Sequence, residues 1–334
     1  MNKRTMKAVM ITQYGGPEVL TVKRDINIPK IEKNQVLIEN YAAGLNPHDI
    51  YLRKGILASV IDDHLPIIPG LDIAGKIVAT GESVTKFSVG QNVYAMMDSN
   101  NEFAKTGFAK TGAYAAYCTT REDTLSLMPN NLSYVEAATI PLVYLTAYQA
   151  IVKKLNAEKG QKILINGASG GVGCAAVQIA HYIGLEVSAV CSMHANNFMR
   201  SLNPTKIIHY EHADFTKSSE KYDIIFDVVG NKNYEVCRNN LTATGTYISN
   251  VPTNETFAVY HNPSDSEKYG FHKKNKYNWV TPSGNDLSKI TSIINQGHIV
   301  PIINKVFNID EVAKAHKHME TGISKGKNVL KIKD

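Results

Sequence analysis

A short apolar strand that runs directly into a glycine-rich turn constrains the fold of this chain more than any other part of the sequence. Residues 162–173 read Lys-Ile-Leu-Ile-Asn-Gly-Ala-Ser-Gly-Gly-Val-Gly, and apolar residues at helical spacing follow over residues 174–183. Gly170 has no side chain, so the backbone there can approach a phosphate closely, and Gly173 allows the helix to pack on the strand. The start of the helix adds unpaired N–H groups and the positive end of its dipole. The pattern therefore predicts a site for the pyrophosphate of a dinucleotide.

The predicted phosphate site extends over the whole turn. Its residues are Ala168, Ser169, Gly170, Gly171, Val172 and Gly173. Ala168 stands where the first glycine of such a motif is usual, and a glycine-rich turn without a ligand is the alternative interpretation. A second apolar strand over residues 185–191 follows the helix. This strand–turn–helix–strand context favours the nucleotide site.

The chain falls into two regions with different hydrophobic periodicity. Up to about residue 127, short runs alternate between apolar and polar residues, which is typical of a β-rich domain. Helical spacing begins at residue 133, and apolar strands then alternate with helices at residues 162–166, 185–191, 206–210, 223–228 and 245–249. Such alternation predicts an α/β fold with a doubly wound parallel sheet. Residues 286–296 are predicted to form a helix, and residues 329–332 a strand that returns to the first domain.

Length, charge and cysteine content exclude several classes of protein. The chain has 334 residues, and a domain of about 150 residues is usual, so two domains are expected. The net charge of +6 is spread along the chain. Its one local concentration, residues 268–276, is interpreted as a solvated face rather than a nucleic-acid site. The four cysteines form no Cys-x-x-Cys pair, which argues against a structural zinc cluster and a disulfide framework.

Two further patterns concern location and loops. No apolar run approaches the ~20 residues of a membrane span, and the basic N-terminus is not followed by the apolar stretch of a signal peptide. A cytoplasmic protein is therefore expected. The sequence Phe-Ala-Lys-Thr-Gly occurs at residues 103–107 and again at 108–112. Such a tandem repeat is predicted to lie in a surface loop.

Several motifs, in one order along nearly the full chain, carry a resemblance to a known family. They are Ala-Ala-Gly-Leu-Asn-Pro-His-Asp at 42–49, Pro-Gly-Leu-Asp-Ile-Ala-Gly at 69–75, Gly-Ala-Tyr-Ala-Ala-Tyr at 112–117, Ala-Ala-Thr-Ile-Pro at 137–141, Leu-Thr-Ala-Tyr at 145–148, the glycine-rich turn, and Gly-Lys-Asn-Val-Leu at 326–330. The set resembles the zinc-independent quinone oxidoreductase branch of the medium-chain dehydrogenase/reductase superfamily. The resemblance implies a β-rich GroES-like substrate domain (1–127 plus 282–334) and a Rossmann NADP-binding domain (128–281), with the active site in the cleft between them.

The resemblance also bears on metal binding. Zinc-dependent relatives carry a Cys and a Gly-His-Glu as catalytic metal ligands, and the corresponding residues here are Asn46 and Gly70-Leu71-Asp72. Leucine cannot bind a metal, and Asp72 alone is not a tetrahedral zinc site. No catalytic metal is therefore expected. Without a Lewis acid, an activated acceptor such as a quinone or an α,β-unsaturated carbonyl is favoured over a plain alcohol–carbonyl pair.

The candidate catalytic residues are Asn46, Tyr51 and Thr146. Asn46 and Tyr51 lie in the loop that the family uses to hold the acceptor's oxygen, and the alternative is a turn amide and a packed ring. Thr146 matches a family position beside the nicotinamide, although a threonine in an apolar helix also bonds to the preceding turn. Asp49 either orients Tyr51 or caps the local backbone.

The choice of nicotinamide cofactor depends on the end of the second strand. NAD-preferring sites place an acid there to bind the ribose 2′-hydroxyl, whereas this chain reads Val-Cys-Ser-Met-His at 190–194. Ser192 can donate to a 2′-phosphate, and Tyr210 matches a family position for the same contact. The lysine usual in relatives is Ala195 here, and Arg200 is a candidate replacement. The cofactor is therefore expected to be NADPH.

These inferences predict an NADPH-dependent, zinc-free reductase of quinones or α,β-unsaturated carbonyls. A 2-enoyl thioester reductase is the alternative among enzymes, and a non-catalytic NADPH-binding sensor or structural protein is the alternative outside them. The expected partner is a small-molecule quinone or enone, with no nucleic acid and no membrane. The sequence leaves a homodimer open.

Overall fold

The computed structural model describes residues 5–58, 65–97 and 112–333. Contacts divide the chain into two compact units, one formed by Met1–Leu142 with Pro282–Asp334 and the other by Val143–Thr281. Apart from Gly112, the tandem repeat of residues 103–112 lies outside the described residues, so the predicted surface loop is not tested.

The second unit is built on a parallel sheet. Its described strands are β8 (Lys162–Asn166), β9 (Glu186–Cys191), β10 (Lys206–His209), β11 (Tyr222–Asp227), β12 (Leu241–Ser249) and β13 (Asn275–Tyr277). Their order across the sheet is β10-β9-β8-β11-β12-β13, and every pairing is parallel. The strand order reverses between β8 and β11, and ligands of such sheets bind at the carboxyl ends of the strands at this point. The predicted doubly wound sheet is confirmed.

Continuous apolar runs explain why these segments form central strands. In β8 all residues after Lys162 are buried, and β9 is buried after Glu186. Strands of this kind are covered by helices on both faces, so they lack the apolar–polar alternation of half-buried strands. The helices of this region are α3 (Pro141–Tyr148), α4 (Gly171–Tyr182), α5 (Asn196–Ser201), α6 (Tyr234–Cys237) and α7 (Asn254–His261), with a π-helical segment over Gln149–Lys154.

The first unit is rich in β-structure, as its alternating pattern predicts. Its described strands are β1 (Thr5–Met10), β2 (Thr21–Asn27), β3 (Gln35–Gly44), β4 (Asp72–Thr80), β5 (Asn92–Met96), β6 (Tyr117–Arg121), β7 (Leu125–Leu127), β14 (Ile303–Asn308) and β15 (Lys327–Lys331). Its helices among the described residues are α1 (Pro47–Arg53), α2 (Tyr134–Ala137), α8 (Gly284–Asn295) and α9 (Val312–Glu320).

Within this first unit, the C-terminal strand β15 pairs with β3 from the N-terminal part of the chain. The described part of the larger sheet has the order β14-β15-β3-β4-β5-β7, and β6 also pairs with β3. β15 lies parallel to β14 and antiparallel to β3, with Val329 opposite Gly44. The C-terminal segment is therefore part of the first unit's sheet and brings Lys327 next to the end of β3.

The two units meet along the sequence at Leu142, whereas the sequence pattern places this boundary between residues 127 and 128. The Tyr134 ring stacks on Tyr41 of β3 at 4.3 Å between centroids, and the Tyr134 hydroxyl donates to Asn92 Oδ1 at 2.7 Å. The Leu142 N–H donates to Asp72 Oδ1 at 2.7 Å. Residues 128–142 therefore pack with the β-rich first unit, although their apolar residues recur at the helical spacing that is typical of the second unit.

Candidate functional site

The glycine-rich turn joins β8 to α4 with two close backbone approaches. The N–H groups of Gly167 and Ala168 both donate to Val190 O in β9, at 3.1 and 2.9 Å. A Cβ atom on Gly173 would lie 2.2 Å from Gly167 O and 2.6 Å from Ala168 Cα, so only glycine fits there. A Cβ atom on Gly170 would meet only Gly167 O, at 3.7 Å. The backbone is therefore tightly packed around Gly173, whereas there is open space next to Gly170.

The start of α4 offers donors to this open space. Gly170 is the N-cap residue, and the first bond within the helix runs from Cys174 N–H to Gly170 O at 2.8 Å. The preceding N–H groups of Gly171, Val172 and Gly173 have no acceptor within the helix, as is general for a first helical turn. These donors, together with the helix dipole, suit an anion. The residues present therefore fit the pyrophosphate of a dinucleotide.

Asp227 organises the neighbouring turn after β11 and is fully buried. Its Oδ1 atom accepts from Asn166 Nδ2 at 2.9 Å and from the N–H groups of Val229 and Gly230, both at 3.0 Å. Its Oδ2 atom accepts from the Tyr247 hydroxyl at 3.0 Å. These bonds occupy the carboxylate, so Asp227 holds the turn after β11 rather than binding a ligand itself.

The residues expected to hold the 2′-phosphate lie after the next two strands. Ser192 follows β9, and Tyr210, which is 62% exposed, follows β10 and donates through its N–H to Cys191 O at 3.2 Å. The structure adds Glu211, whose two carboxylate oxygens each accept from Met193 N–H at 3.1 Å. The sequence pattern does not point to this acid, because Glu211 follows the third strand of the unit rather than the second. Its position directly after Tyr210 was the available signal.

A buried ammonium lies beside Asn46 and Asp72 in the first unit. Lys327 Nζ donates to Asn46 Oδ1 at 2.5 Å, to Leu45 O at 2.7 Å and to Asp72 Oδ2 at 3.0 Å. Asn46 Nδ2 donates to the same Asp72 oxygen at 2.9 Å. Burial raises the pKa of Asp72, while Lys327 and Asn46 act in the opposite direction. The sequence alone gives no sign of this role for Lys327, because only the fold brings β15 next to β3.

This arrangement corrects two expectations about Asn46. The sequence places Asn46 and Tyr51 in a loop, whereas they lie at the start of and within helix α1. The Asn46 amide is fully buried and donates to Asp72 and, at 3.4 Å, to Gly44 O. Both N–H bonds of the amide are therefore directed at protein acceptors. In this conformation Asn46 has no donor for a substrate oxygen and instead fixes the position of neighbouring groups.

Asp49 caps the N-terminus of helix α1. Its Oδ2 atom accepts from Asn46 N–H at 2.8 Å, which caps the helix, and from the Tyr114 hydroxyl at 2.9 Å. The Tyr114 hydroxyl also lies 3.4 Å from His316 Nε2 of α9. Burial lowers the pKa of His316 to about 4, against the opposing effect of Asp49. Of the two interpretations left open for Asp49, the structure supports the cap.

Tyr51 is the candidate with an available hydroxyl. It lies two residues before the end of α1 and is partly exposed. Its hydroxyl makes no hydrogen bond to the parts of the chain that the structure describes. Because the ring is carried on a capped helix, the hydroxyl can serve as a donor held in a defined place.

Thr146 lies in the second unit, in α3, and is almost fully buried. Its carbonyl oxygen accepts from Asn278 Nδ2 at 3.0 Å, and Asn278 N–H donates to Ser249 O at the end of β12 at 2.7 Å. Asn278 therefore ties α3 to the carboxyl end of the parallel sheet. Thr146, the glycine-rich turn, Ser192 and Tyr210 belong to the second unit, while Asn46 and Tyr51 belong to the first.

The last feature of the site is its set of side chains that could bind a metal ion. Within residues 5–58, 65–97 and 112–333, no three His, Cys, Asp or Glu side chains come together as a metal site would require. Asp72, the carboxylate at a ligand position of zinc-dependent relatives, is bonded to the Lys327 ammonium and the Asn46 amide. Among the same described residues, no helix combines the length and the apolar character of a membrane span.

Comparison with known proteins gives the family. The model of an alcohol dehydrogenase GroES-like domain matches residues 32–130, and that of a zinc-binding dehydrogenase matches residues 202–330. The chain is 31% identical over 329 residues to the 2-methylene-furan-3-one reductase of Solanum lycopersicum, covering 97% of this chain and 79% of that protein. It is 30% identical over 333 residues to the chloroplastic NADPH-dependent alkenal/one oxidoreductase of Arabidopsis thaliana, covering 98% and 80%. The solved quinone oxidoreductase of Coxiella burnetii has a TM-score of 0.84 at 27% identity, covering 99% of this chain and 100% of that one.

A parallel sheet with a glycine-rich turn after its first strand, together with a GroES-like unit, defines an oxidoreductase of the medium-chain class. The chain belongs to the zinc-independent, quinone oxidoreductase-like branch of the medium-chain dehydrogenase/reductase superfamily. This is a family of NAD(P)H-dependent oxidoreductases. The predicted family, fold class and enzyme class are confirmed.

Proposed function

We propose that this protein transfers a hydride from NADPH to a quinone or an α,β-unsaturated carbonyl without a catalytic metal. The observation that carries the proposal is the buried Lys327 ammonium, 3.0 Å from Asp72 and 2.5 Å from Asn46. These two residues stand at ligand positions of the zinc-dependent relatives. The Lys327 ammonium is thus the cation that Asp72 binds. The plant relatives are named for the reduction of a furanone and of alkenals and alkenones, and the Coxiella protein for quinones, which supports the acceptor class.

The chemistry needs little more than hydride and one donor. When bound, reduced nicotinamide would supply the hydride that forms a C–H bond at the electron-poor carbon of the acceptor. The displaced π electron pair moves to the acceptor's oxygen, and protonation by solvent completes the reduction. Tyr51 is the proposed donor to that oxygen as its negative charge grows, because a preorganised donor stabilises the developing oxyanion. Asn46 is a positioning residue in this scheme, and Thr146 is proposed to contact the nicotinamide.

The preference for NADPH is the finer part of the proposal. It is supported by Ser192 and Tyr210, whose hydroxyls can donate to a 2′-phosphate, and by the absence of an acid at the end of β9 itself. Hydrogen bonds to a charged phosphate contribute about 1.5–3 kcal/mol each. The turn of Ala168, Ser169, Gly170, Gly171, Val172 and Gly173 is the proposed pyrophosphate site.

A panel of acceptors tests the function. Oxidation of NADPH by purified protein is followed with simple quinones, enals, enones and 2-enoyl thioesters. Turnover with a quinone or an enone supports the proposal, whereas faster turnover with thioesters favours the alternative acyl substrate. Nucleotide binding without turnover of any acceptor contradicts an enzymatic role.

Two separate measurements test the remaining points. Metal analysis and assay after chelation should give no stoichiometric zinc and unchanged activity, while activity that is lost and then restored by zinc contradicts the metal-free mechanism. A homodimer stays a prediction, and light scattering on the purified protein decides it.

A further inference from the structure

Glu211 places a negative charge beside the site proposed for the nucleotide's 2′ position. Both of its carboxylate oxygens lie 3.1 Å from Met193 N, and Met193 directly follows Ser192 at the carboxyl end of β9. In NAD-preferring sheets an acid at the end of this second strand accepts the ribose hydroxyls. Here the acid comes from the segment after the third strand and is held at the same end of the sheet.

The charge of Glu211 is not balanced within the described residues. Two other acids of this unit are paired, Asp214 with Lys232 at 3.3 Å and Glu220 with Lys206 at 2.5 Å. No such ion pair joins Glu211 to a cation in the described segments. Its field also reaches the end of β9, where burial, with a smaller contribution from Glu211, raises the pKa of Cys191. An uncompensated carboxylate in this place opposes a second negative group more strongly than a paired one would.

We propose that Glu211 is a specificity-determining residue that limits the preference for NADPH and allows the site to bind NADH. The carboxylate accepts the adenosine ribose hydroxyls of NADH and repels the 2′-phosphate of NADPH, which carries nearly two negative charges. Ser192 and Tyr210 act in the opposite sense. This inference rests on the proposed function only in requiring that the second unit bind a nicotinamide nucleotide.

Direct binding, without any acceptor, provides the test. The probes are ADP-ribose and 2′-phospho-ADP-ribose, titrated calorimetrically, together with NADH and NADPH followed by fluorescence. Glu211→Gln removes the charge while its amide oxygen can still accept from Met193 N–H. The matched control is Glu186→Gln, which removes an exposed acid at the opposite end of β9.

We expect wild type to bind the two nucleotides with affinities within about tenfold of each other, because one like-charge contact offsets one or two phosphate hydrogen bonds. Glu211→Gln should tighten binding of the 2′-phosphate compounds about tenfold and weaken or leave unchanged that of the others, with a smaller effect at high salt. Glu186→Gln should shift neither.

Equal shifts for both nucleotides in Glu211→Gln, or the same ratio as in Glu186→Gln, would overturn the role of Glu211 while leaving the proposed reduction intact. Binding of neither nucleotide to wild type would overturn both the inference and the proposed function. A wild-type preference for NADPH far above tenfold would also count against Glu211.

Discussion

Lys327 Nζ and Asp72 Oδ2 form an ion pair 3.0 Å long, and both side chains are buried. The pair joins the first residue of β15 to the first residue of β4, and Asn46 bonds to both partners. Since the carboxylate and the ammonium have both left water, each depends on the other for compensation of its charge.

Lys327→Met should destabilise the protein by about 3–5 kcal/mol, because Asp72 is left as a buried charge without a counterion. Chemical denaturation measures the change. In the double variant Asp72→Asn/Lys327→Met the loss should be smaller than the sum of the two single losses. As a control, Lys33→Met removes an exposed pair with Glu82 and should cost at most about 1 kcal/mol. Equal losses for Lys327→Met and Lys33→Met would contradict the compensation argument.

Tyr51→Phe should lower kcat with a quinone or enone by about 10²–10³-fold, because one donor to the developing oxyanion is removed. The ring remains, so packing and NADPH affinity should stay close to wild type. Steady-state kinetics and a nucleotide titration measure the two effects. Tyr41→Phe removes a hydroxyl bonded to Glu39 on the sheet and serves as the control. An unchanged kcat in Tyr51→Phe would rule out this assignment.

The two glycines at the start of α4 should respond differently to alanine. In Gly173→Ala the new methyl would lie 2.2 Å from Gly167 O, so stability should fall by about 1–3 kcal/mol through overpacking. In Gly170→Ala the methyl enters open space, so stability should be kept while nucleotide binding weakens by about tenfold or more through blocked phosphate approach. Thermal melts and titration separate the two. Tight NADPH binding by a stable Gly170→Ala protein would contradict the phosphate site.

His316 should make stability dependent on pH. Burial lowers the pKa of His316 to about 4, whereas an unfolded histidine titrates near 6.5. Between these values the unfolded chain binds more protons, so the free energy of unfolding falls as the pH is lowered, by about 2 kcal/mol at pH ~5 from this residue.

Unfolding curves at several pH values check this dependence. His316→Gln should show a flatter profile between neutral pH and pH ~5, while the exposed His194→Gln should follow wild type. If the Gln variant does not fold, NMR titration of the His316 ring in wild type gives the answer. A midpoint near that of a free histidine would contradict the assigned effect.

The sequence predicts those elements whose apolar residues carry a clear period. The central strands of the parallel sheet are continuous apolar runs, and each was predicted to within a few residues. β14 was not, because only Phe307 of its six residues is buried and no alternation appears. β13 was missed for a similar reason, since Asn275, Lys276 and Tyr277 are all only partly buried.

The candidate site divides in the same way. The phosphate turn is local, so its strand, glycines and helix can all be identified in one stretch of sequence. The contacts of Lys327 with Asn46 and of Glu211 with Met193 join distant segments, and only the register of β15 with β3 and the order of β9 and β10 create them. The proposed role of Asn46 therefore differs from the one that its sequence suggests. An asparagine amide can donate to a substrate oxygen, but in the fold this amide donates to Asp72 and Gly44.

The return of β15 to the first unit also bears on how the chain folds during synthesis. Lys327 follows Asp72 by 255 positions, and the whole of Val143–Thr281 is translated between them. The parallel-sheet unit is continuous in sequence and can fold as it leaves the ribosome. The earlier-made β-rich unit has to keep Asp72 hydrated until its counterion emerges. We therefore expect the second unit to complete its fold before the first, with the ion pair between Asp72 and Lys327 closing last.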